Sequence, residues 1–193
     1  EIGFARFGTS SNNRSLFEKP RTDPLDSKTM KPRKELKDKT KFKQAKYVMI
    51  TGDKSFSPQN NKDFKEIIRP ENKNGQNIKV VIISRAGSEG LDFKNIRQIH
   101  IVDPWYNMNR IEQIIGRGVR NLSHCMLPFE KRNVEIYMHA SYLKKTPEYE
   151  AADLYVYRLA KNKGLKIGQV TRLLKEISVD CIVHIGQTNF SLD

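Results

Sequence analysis

The apolar positions of the chain change rhythm at Tyr47. Ahead of it, a short apolar stretch "GFARFG" falls within residues 1–8, read as the start of the folded domain. Residues 9–46 are rich in Lys, Asp, Ser and Pro and nearly lack aliphatic side chains. Such a run buries too little apolar surface to offset its ordering entropy and is expected to be a mobile basic insertion, either a solvated loop or an arm touching phosphates. From Tyr47, "YVMIT" is apolar and β-branched, as a buried strand requires. "SPQNNKDFKEIIRP" then reads as a helix with Ser57 as N-cap and Pro58 at its first position; Phe64, Ile67 and Ile68 lie at helical spacing, and Pro70 is the stop. Further strands are expected at "IKVVIISR", "RQIHIVDP" and "VEIYMHA". The tail "TPEYEAADLYVYRLAKNKGLKIGQVTRLLKEISVDCIVH" predicts two helices broken between Gly164 and Gly168. Leu154, Val156, Tyr157 and Leu159 would pack the first, and Val170, Leu173, Leu174 and Ile177 the second.

Strands apolar on both faces and separated by helical patterns argue for an α/β fold, a parallel sheet flanked on both sides by helices. The boundaries that follow are one main domain over 47–145 and a helical extension over 146–193. In such sheets ligands sit beyond the carboxyl ends of the strands, which singles out the segments after Ser84 and Asp103 and the start of a helix over 108–120.

That last helix contains "QIIGRGVR", residues 113–120. On a wheel of about 100° per residue, Met108, Ile111, Ile114, Ile115 and Val119 share one arc, while Arg110, Gln113, Arg117 and Arg120 share another. Gly116 and Gly118 each cost about 1 kcal/mol relative to alanine inside a helix, so a close backbone or a ligand must offset them. Several planar, permanently charged forks on one face suit a polyphosphate, and arginines delivered to a transferring phosphoryl group stabilise its transition state; that role is assigned to Arg117 and Arg120. After the strand "IKVVII", the stretch "SRAGSEGLDF" places Ser84, Ala86, Gly87, Ser88 and Gly90 where backbone N–H groups can approach an anion, with Glu89 and Asp92 able to take ribose hydroxyls or orient arginines. No GxxxxGK[ST] occurs in the chain, and no GxGxxG follows a strand.

Charge sharpens the picture. Lys and Arg number 35 against 22 Asp and Glu, a formal +13, which favours a nucleic acid or another polyanion as partner. The two cysteines, Cys125 and Cys181, lie far apart and argue for a reducing, intracellular setting without a disulfide framework. No apolar run approaches the roughly 20 residues of a membrane span, so no membrane partner is expected, and "EIGFARFG" is not a signal peptide. With no initiator Met, the sequence reads as a fragment or a processed piece.

Taken together, "VVIISRAGSEGLDF", "QIHIVDPWYNMNRIEQIIGRGVR" and "VEIYMHA" resemble the second RecA-like lobe of a superfamily 2 helicase or translocase. "SRAGSEGLDF" is similar to motif V of that family, and "QIIGRGVR" matches its motif VI, QxxGRxxR, at every fixed position. The run from Asp103 to Tyr137, with "LLKEISVDC" downstream, resembles the helicase-like ATPases of large nucleocytoplasmic DNA viruses, the group with the poxvirus early transcription factor small subunit and nucleoside triphosphate phosphohydrolase I. The resemblance covers about residues 47–185 and leaves the basic stretch outside it.

What it implies is a RecA-like lobe working with ATP and Mg²⁺ that are bound mainly by an N-terminal RecA-like lobe. Arg120 would be the arginine finger, and Arg117 and Gln113 would meet the nucleotide phosphates or couple them to the other lobe. Gly90 and Asp92 would lie at the interlobe cleft. Ser84, Arg85, Gly87 and Arg110 would lie along a nucleic acid, with DNA the first expectation and RNA left open. Further implied are contacts with viral transcription machinery and a place in host cytoplasm or virion. Walker A and the DExx box are missing from this chain, so it is expected to be inactive alone, and the family's motif IV strand would precede Glu1. The alternative is a non-catalytic basic module that binds nucleic acid or scaffolds a transcription complex. Two weaker signals stand apart. His124, Cys125, Cys181 and His184 are poorly spaced as zinc ligands and are expected to pack, with no metal held; Trp105 is read as a packing anchor before a base-stacking ring.

Overall fold

In the computed structural model, residues 3–7, 23–85, 90–144, 149–179 and 183 are described. They form strands β1 (Ala5–Arg6), β2 (Lys46–Ile50), β3 (Val80–Ile83), β4 (Gln98–Ile101) and β5 (Glu135–Met138), and helices α1 (Asn60–Ile67), α2 (Met108–Gly118) and α3 (Ala152–Glu176). The chain divides into two compact units, Glu1–Arg97 with Arg117–Asn133, and Gln98–Gly116 with Val134–Asp193. α2 begins in the second unit and ends in the first.

In the first unit β1, β2 and β3 pair in parallel in that order, with Ala5 opposite Lys46 and Tyr47 opposite Val80. β2 is the central strand. Its Val48 and Ile50 are each 1% exposed and form a core with Ile67 of α1, Ile78 and Phe93. Phe64 meets Phe93 edge to face, ring centroids 5.4 Å apart. Asn72, buried after α1, satisfies four backbone groups at once: its amide donates to the Ile67 and Ile78 carbonyls, and its side-chain oxygen accepts from the Asn77 and Ile78 N–H groups. Ser57 is not the cap of α1, which starts at Asn60 behind Gln59. Its buried hydroxyl instead accepts from the Thr51 N–H at 2.9 Å and faces the Thr51 hydroxyl at 2.7 Å, closing the loop after β2.

Residues 23–46 of the basic stretch run beside β1 and β2. Leu25 donates to the Gly3 carbonyl and accepts from Ala45 N–H, and Ala5 N–H donates to the Ala45 carbonyl. Gly3 (φ +74°) has no room for a side chain, since a Cβ there would fall 2.6 Å from Leu25 Cγ. The hub is buried Asp26, whose carboxylate accepts from the backbone N–H groups of Lys28, Thr29 and Lys43 and from the Thr29 hydroxyl. The Thr29 and Lys43 N–H bonds, foremost, hold its pKa down at about 2. Residues 9–22 lie outside the described residues.

In the second unit β4 and β5 pair in parallel, Gln98 opposite Glu135 and Ile101 opposite Met138. The tail is one helix, α3, where two were expected. Glycine lowers helix stability by about 1 kcal/mol without breaking the hydrogen-bond ladder. Gly164 has a packing use, because a Cβ there would lie 3.2 Å from Met108 Cγ; at Gly168 a Cβ would meet nothing within 4 Å. Val156, Tyr157 and Leu159 are half-buried and Leu154 is exposed. Val170, Leu173, Leu174 and Ile177 are 58–72% exposed, so that expected face is not packed among the described residues.

The α/β class and the parallel pairing follow from the apolar runs. Three of the described strands pair in the first unit and two in the second. Coverage on both faces is reached at β2 but not at β3, where Val80 and Ile82 stay exposed, nor at β5, exposed along its length. Among the described residues no helix is long and apolar enough to cross a membrane.

Candidate nucleotide and nucleic-acid site

Two sequence stretches expected to work together meet within the first unit. The segment that leaves Gly90 runs past the end of α2, and the two are joined by alternating backbone and side-chain bonds. Phe93 N–H donates to the Arg117 carbonyl at 3.2 Å, and Asn95 N–H donates to the Ser123 carbonyl at 3.0 Å. The Arg117 guanidinium reaches the Leu91 carbonyl at 3.4 Å, and Arg120 Nη1 stands 3.4 Å from Asp92 Oδ2. Both side chains of that ion pair are about half-exposed, so the pair is weakly held and open to exchange. Beyond it, His124 Nε2 lies 2.6 Å from the Ile96 carbonyl oxygen.

α2 carries Arg110, Gln113 and Arg117 at spacings of three and four, so these share a helix face as expected. Arg120 does not. The helix ends at Gly118, which places Val119 and Arg120 in the following turn; Val119 is 46% exposed and leaves the apolar arc assigned to it. Gln113 is exposed and Arg117 half-buried. Arg110 lies over the Trp105 ring, 4.1 Å from its centroid, and Tyr106 meets that ring at its edge, so Trp105 is an anchor for an arginine. The signal for this stacking was a lone Trp five residues ahead of an Arg, too common to single out.

Gly118 is buried. At Gly116, by contrast, a Cβ would meet no atom within 4 Å among the described residues, the helix's own backbone aside. Ser84 and Arg85 are exposed just after β3, with Ser84 N–H bonded to the Ile50 carbonyl at 3.0 Å. Gly90 is exposed at φ +73°, a left-handed conformation that favours glycine. Gly87, with Ala86, Ser88 and Glu89, lies outside the described residues.

Within the described residues, both ring nitrogens of His124 face protein groups. Its Nδ1 lies 2.7 Å from the Ser123 hydroxyl and its Nε2 faces a carbonyl, so both ring nitrogens are engaged; Cys125 is exposed, and Cys181 and His184 lie outside the described residues. Sequence reasoning missed Ser123 altogether. Its signal was only that a serine follows the last arginine of "QIIGRGVR" by three positions, a spacing common to many helix ends.

Comparison with known proteins places the chain in a family. The model of the helicase conserved C-terminal domain matches residues 9–122, more than half of the chain. The chain belongs to this helicase C-terminal domain family. The matched span takes in the basic stretch, which the motifs alone had left outside. A protein of Invertebrate iridescent virus 3 named as a helicase, 087L, is 34% identical over 140 residues, covering 72% of this chain and 14% of that protein. Nucleoside triphosphatase I of Heliothis armigera entomopoxvirus is 42% identical over 115 residues, 60% of this chain and 17% of its own length. A protein of Acanthamoeba polyphaga mimivirus named as an ATP-dependent RNA helicase, L538, is 42% identical over 109 residues, 56% of this chain and 24% of its own. The chain thus spans a quarter or less of these relatives. As a helicase C-terminal domain it has a RecA-like α/β fold, and its relatives are viral helicases and nucleoside triphosphatases, the group its motifs resemble.

Proposed function

We propose that this domain is the second lobe of an ATP-driven, nucleic-acid-dependent helicase or translocase of viral origin that serves transcription, with Arg120 as its arginine finger. The observation that carries the reading is the joining of two stretches: Arg117 and Arg120 both reach back to Leu91 and Asp92, so two guanidiniums stand beside the loop that leaves β3. ATP with its Mg²⁺, bound by another lobe of the full-length protein, supplies the phosphoryl group transferred to water. This chain has residues suited to the phosphate end alone, Gln113, Arg117 and Arg120, and its nearby carboxylate Asp92 is already paired with Arg120.

Within that arrangement Asp92 holds the Arg120 guanidinium until a more highly charged phosphate competes for it, and the weakness of an exposed ion pair makes the exchange easy. Arg120 then offsets charge that builds on the transferring group, and Arg117 and Gln113 orient the phosphate oxygens. Gly116, lacking a side chain, leaves room for the nucleotide to approach the helix. The grip on the strand alternates with lobe closure, because the arginines reach the phosphate only in the closed state.

Ser84, Arg85 and, in the other unit, Arg110 are assigned to the nucleic acid, as is the surface of residues 28–43, which exposes eight cations among only two carboxylates. DNA is expected over RNA. Two mimivirus relatives carry RNA helicase in their names, so stimulation by each strand decides the point. The test is ATPase activity of the full-length protein, with and without DNA or RNA. Arg120→Ala is expected to lower stimulated kcat by about 10³-fold. Unchanged ATPase in that variant would leave the domain a basic nucleic-acid-binding or scaffolding module.

A further inference from the structure

An arginine that must meet a phosphate at one moment of a cycle needs a fixed backbone, and Arg120 has lost its helix. α2 ends two residues earlier at Gly118. The turn that follows is closed by Ser123 N–H donating to the Arg120 carbonyl at 3.2 Å, and it holds Leu122 at φ +60°, a left-handed conformation that leucine adopts rarely. Such a turn persists only where its surroundings over-determine it.

The surroundings here are Ser123 and His124, only 6% and 9% exposed. The Ser123 hydroxyl accepts from the Arg120 N–H at 3.3 Å, with the Arg120 carbonyl oxygen 2.8 Å away; its single proton goes to Nδ1 of the Nε2-protonated His124 ring, so the bond that fixes Arg120 is the one from its N–H. Behind it stands the His124 ring, with Nδ1 2.7 Å from that hydroxyl. The ring is fixed in turn because its Nε2 donates to the Ile96 carbonyl at 2.6 Å. A carbonyl oxygen only accepts, so the proton on Nε2 is required and the ring cannot turn over without losing this bond. The Ser123 carbonyl accepts from Asn95 N–H at 3.0 Å, which ties the same turn to the same segment a second time. A continuous path therefore runs from Ile96 through imidazole and hydroxyl to the backbone of Arg120.

The geometry points to Ser123 and His124 as positioning residues for Arg120: they hold its backbone in the register from which its side chain reaches the transferring phosphate. This rests on the reading of Arg120 as the finger. The consequence is that the pair acts on the chemical step through Arg120, and on nothing else in the cycle.

The experiment is a double-mutant cycle in the full-length protein, read as nucleic-acid-stimulated ATPase under saturating and single-turnover conditions, with thermal melting alongside. Ser123→Ala is expected to lower kcat about tenfold or more, with KM for ATP and nucleic-acid affinity within about twofold of the parent. Ser123→Thr, which keeps the hydroxyl, is expected to recover most of that loss. His124→Gln, which offers an N–H towards Ile96 but nothing in place of Nδ1, is expected to show the same kcat-selective defect and serves if Ser123→Ala does not fold. In an Arg120→Ala background the residual rate should not fall further on adding either substitution. Additive losses in that background, or full activity of folded Ser123→Ala and His124→Gln beside a crippled Arg120→Ala, would overturn the positioning role and leave the finger standing. Full activity of Arg120→Ala itself would overturn both.

Discussion

The turn after α2 and the distal half of α3 start from the same kind of sequence, apolar residues at helical spacing among basic ones, and end in opposite states. After α2, backbone and side-chain groups of Arg117, Arg120, Ser123 and His124 find partners in residues 91–96. Along α3 the helix forms over 25 residues, yet Leu165, Ile167, Val170, Leu173 and Leu174 are 53–61% exposed. Periodicity therefore specifies a helix, whereas burial depends on what the chain brings against it. The first region is held by backbone and side-chain bonds that no hydrophobic pattern announces.

The largest expected effect lies in the core beneath that first region. Ile50→Ala removes a side chain 1% exposed at the centre of β2 and should destabilise the chain by about 3 kcal/mol in urea unfolding followed by circular dichroism. A cost below about 1 kcal/mol would mean that the first unit is no better packed than α3, and the comparison would collapse.

Next comes the polar hub of the same unit. Asp26→Ala leaves the backbone N–H groups of Lys28, Thr29 and Lys43 without their acceptor and should cost about 2 kcal/mol near neutral pH. The sign with pH follows from the depressed pKa. A carboxylate at about 2 in the folded chain and near 3.9 when unfolded contributes stability that is fully present above about pH 4 and lost as pH falls through about 2. The gap between parent and Asp26→Ala should therefore narrow over that window. A gap that stays constant from pH 6 to pH 2 would remove Asp26 as the hub that orders the basic stretch.

How much of this was readable beforehand divides along the same line. Buried strands such as "YVMIT" announce themselves because a β-branched apolar run has few other uses, and "QIIGRGVR" stands out because its glycines and clustered arginines both cost a helix stability. A serine ahead of a proline satisfies the capping rule, yet the Ser57 hydroxyl finds Thr51 through tertiary contact. The order of residues 23–46 escaped notice for a related reason. One buried carboxylate accepting several backbone bonds substitutes for an apolar core, and hydropathy does not count hydrogen bonds. Arg120 was placed on the helix because a wheel has no end, whereas α2 stops at Gly118.

A smaller effect with two signs tests the glycine inside α2. A methyl at position 116 meets nothing within 4 Å among the described residues, so Gly116→Ala should stabilise the chain by about 0.5–1 kcal/mol through helix propensity and a less flexible unfolded state. If the bare surface serves a nucleotide, the same substitution should lower ATPase activity of the full-length protein. Stabilisation with unchanged ATPase would show the glycine to be incidental. A loss of stability would show instead that an unseen neighbour already fills the space.

The smallest expected effect lies on α3. Leu173 and Leu174 are each 58% exposed, so replacing both with alanine removes little buried area, and alanine is the stronger helix former. The double variant should change unfolding free energy by less than about 0.5 kcal/mol, as surface substitutions do, and should leave helical circular dichroism intact. Set against Ile50→Ala, that result measures the difference between a helix specified by its own residues and a strand specified by its neighbours. A loss of 2 kcal/mol or more would mean that α3 buries this face after all, and the contrast with the turn after α2 would then reduce to one of chemistry: apolar contact on α3, and hydrogen bonds around Arg120.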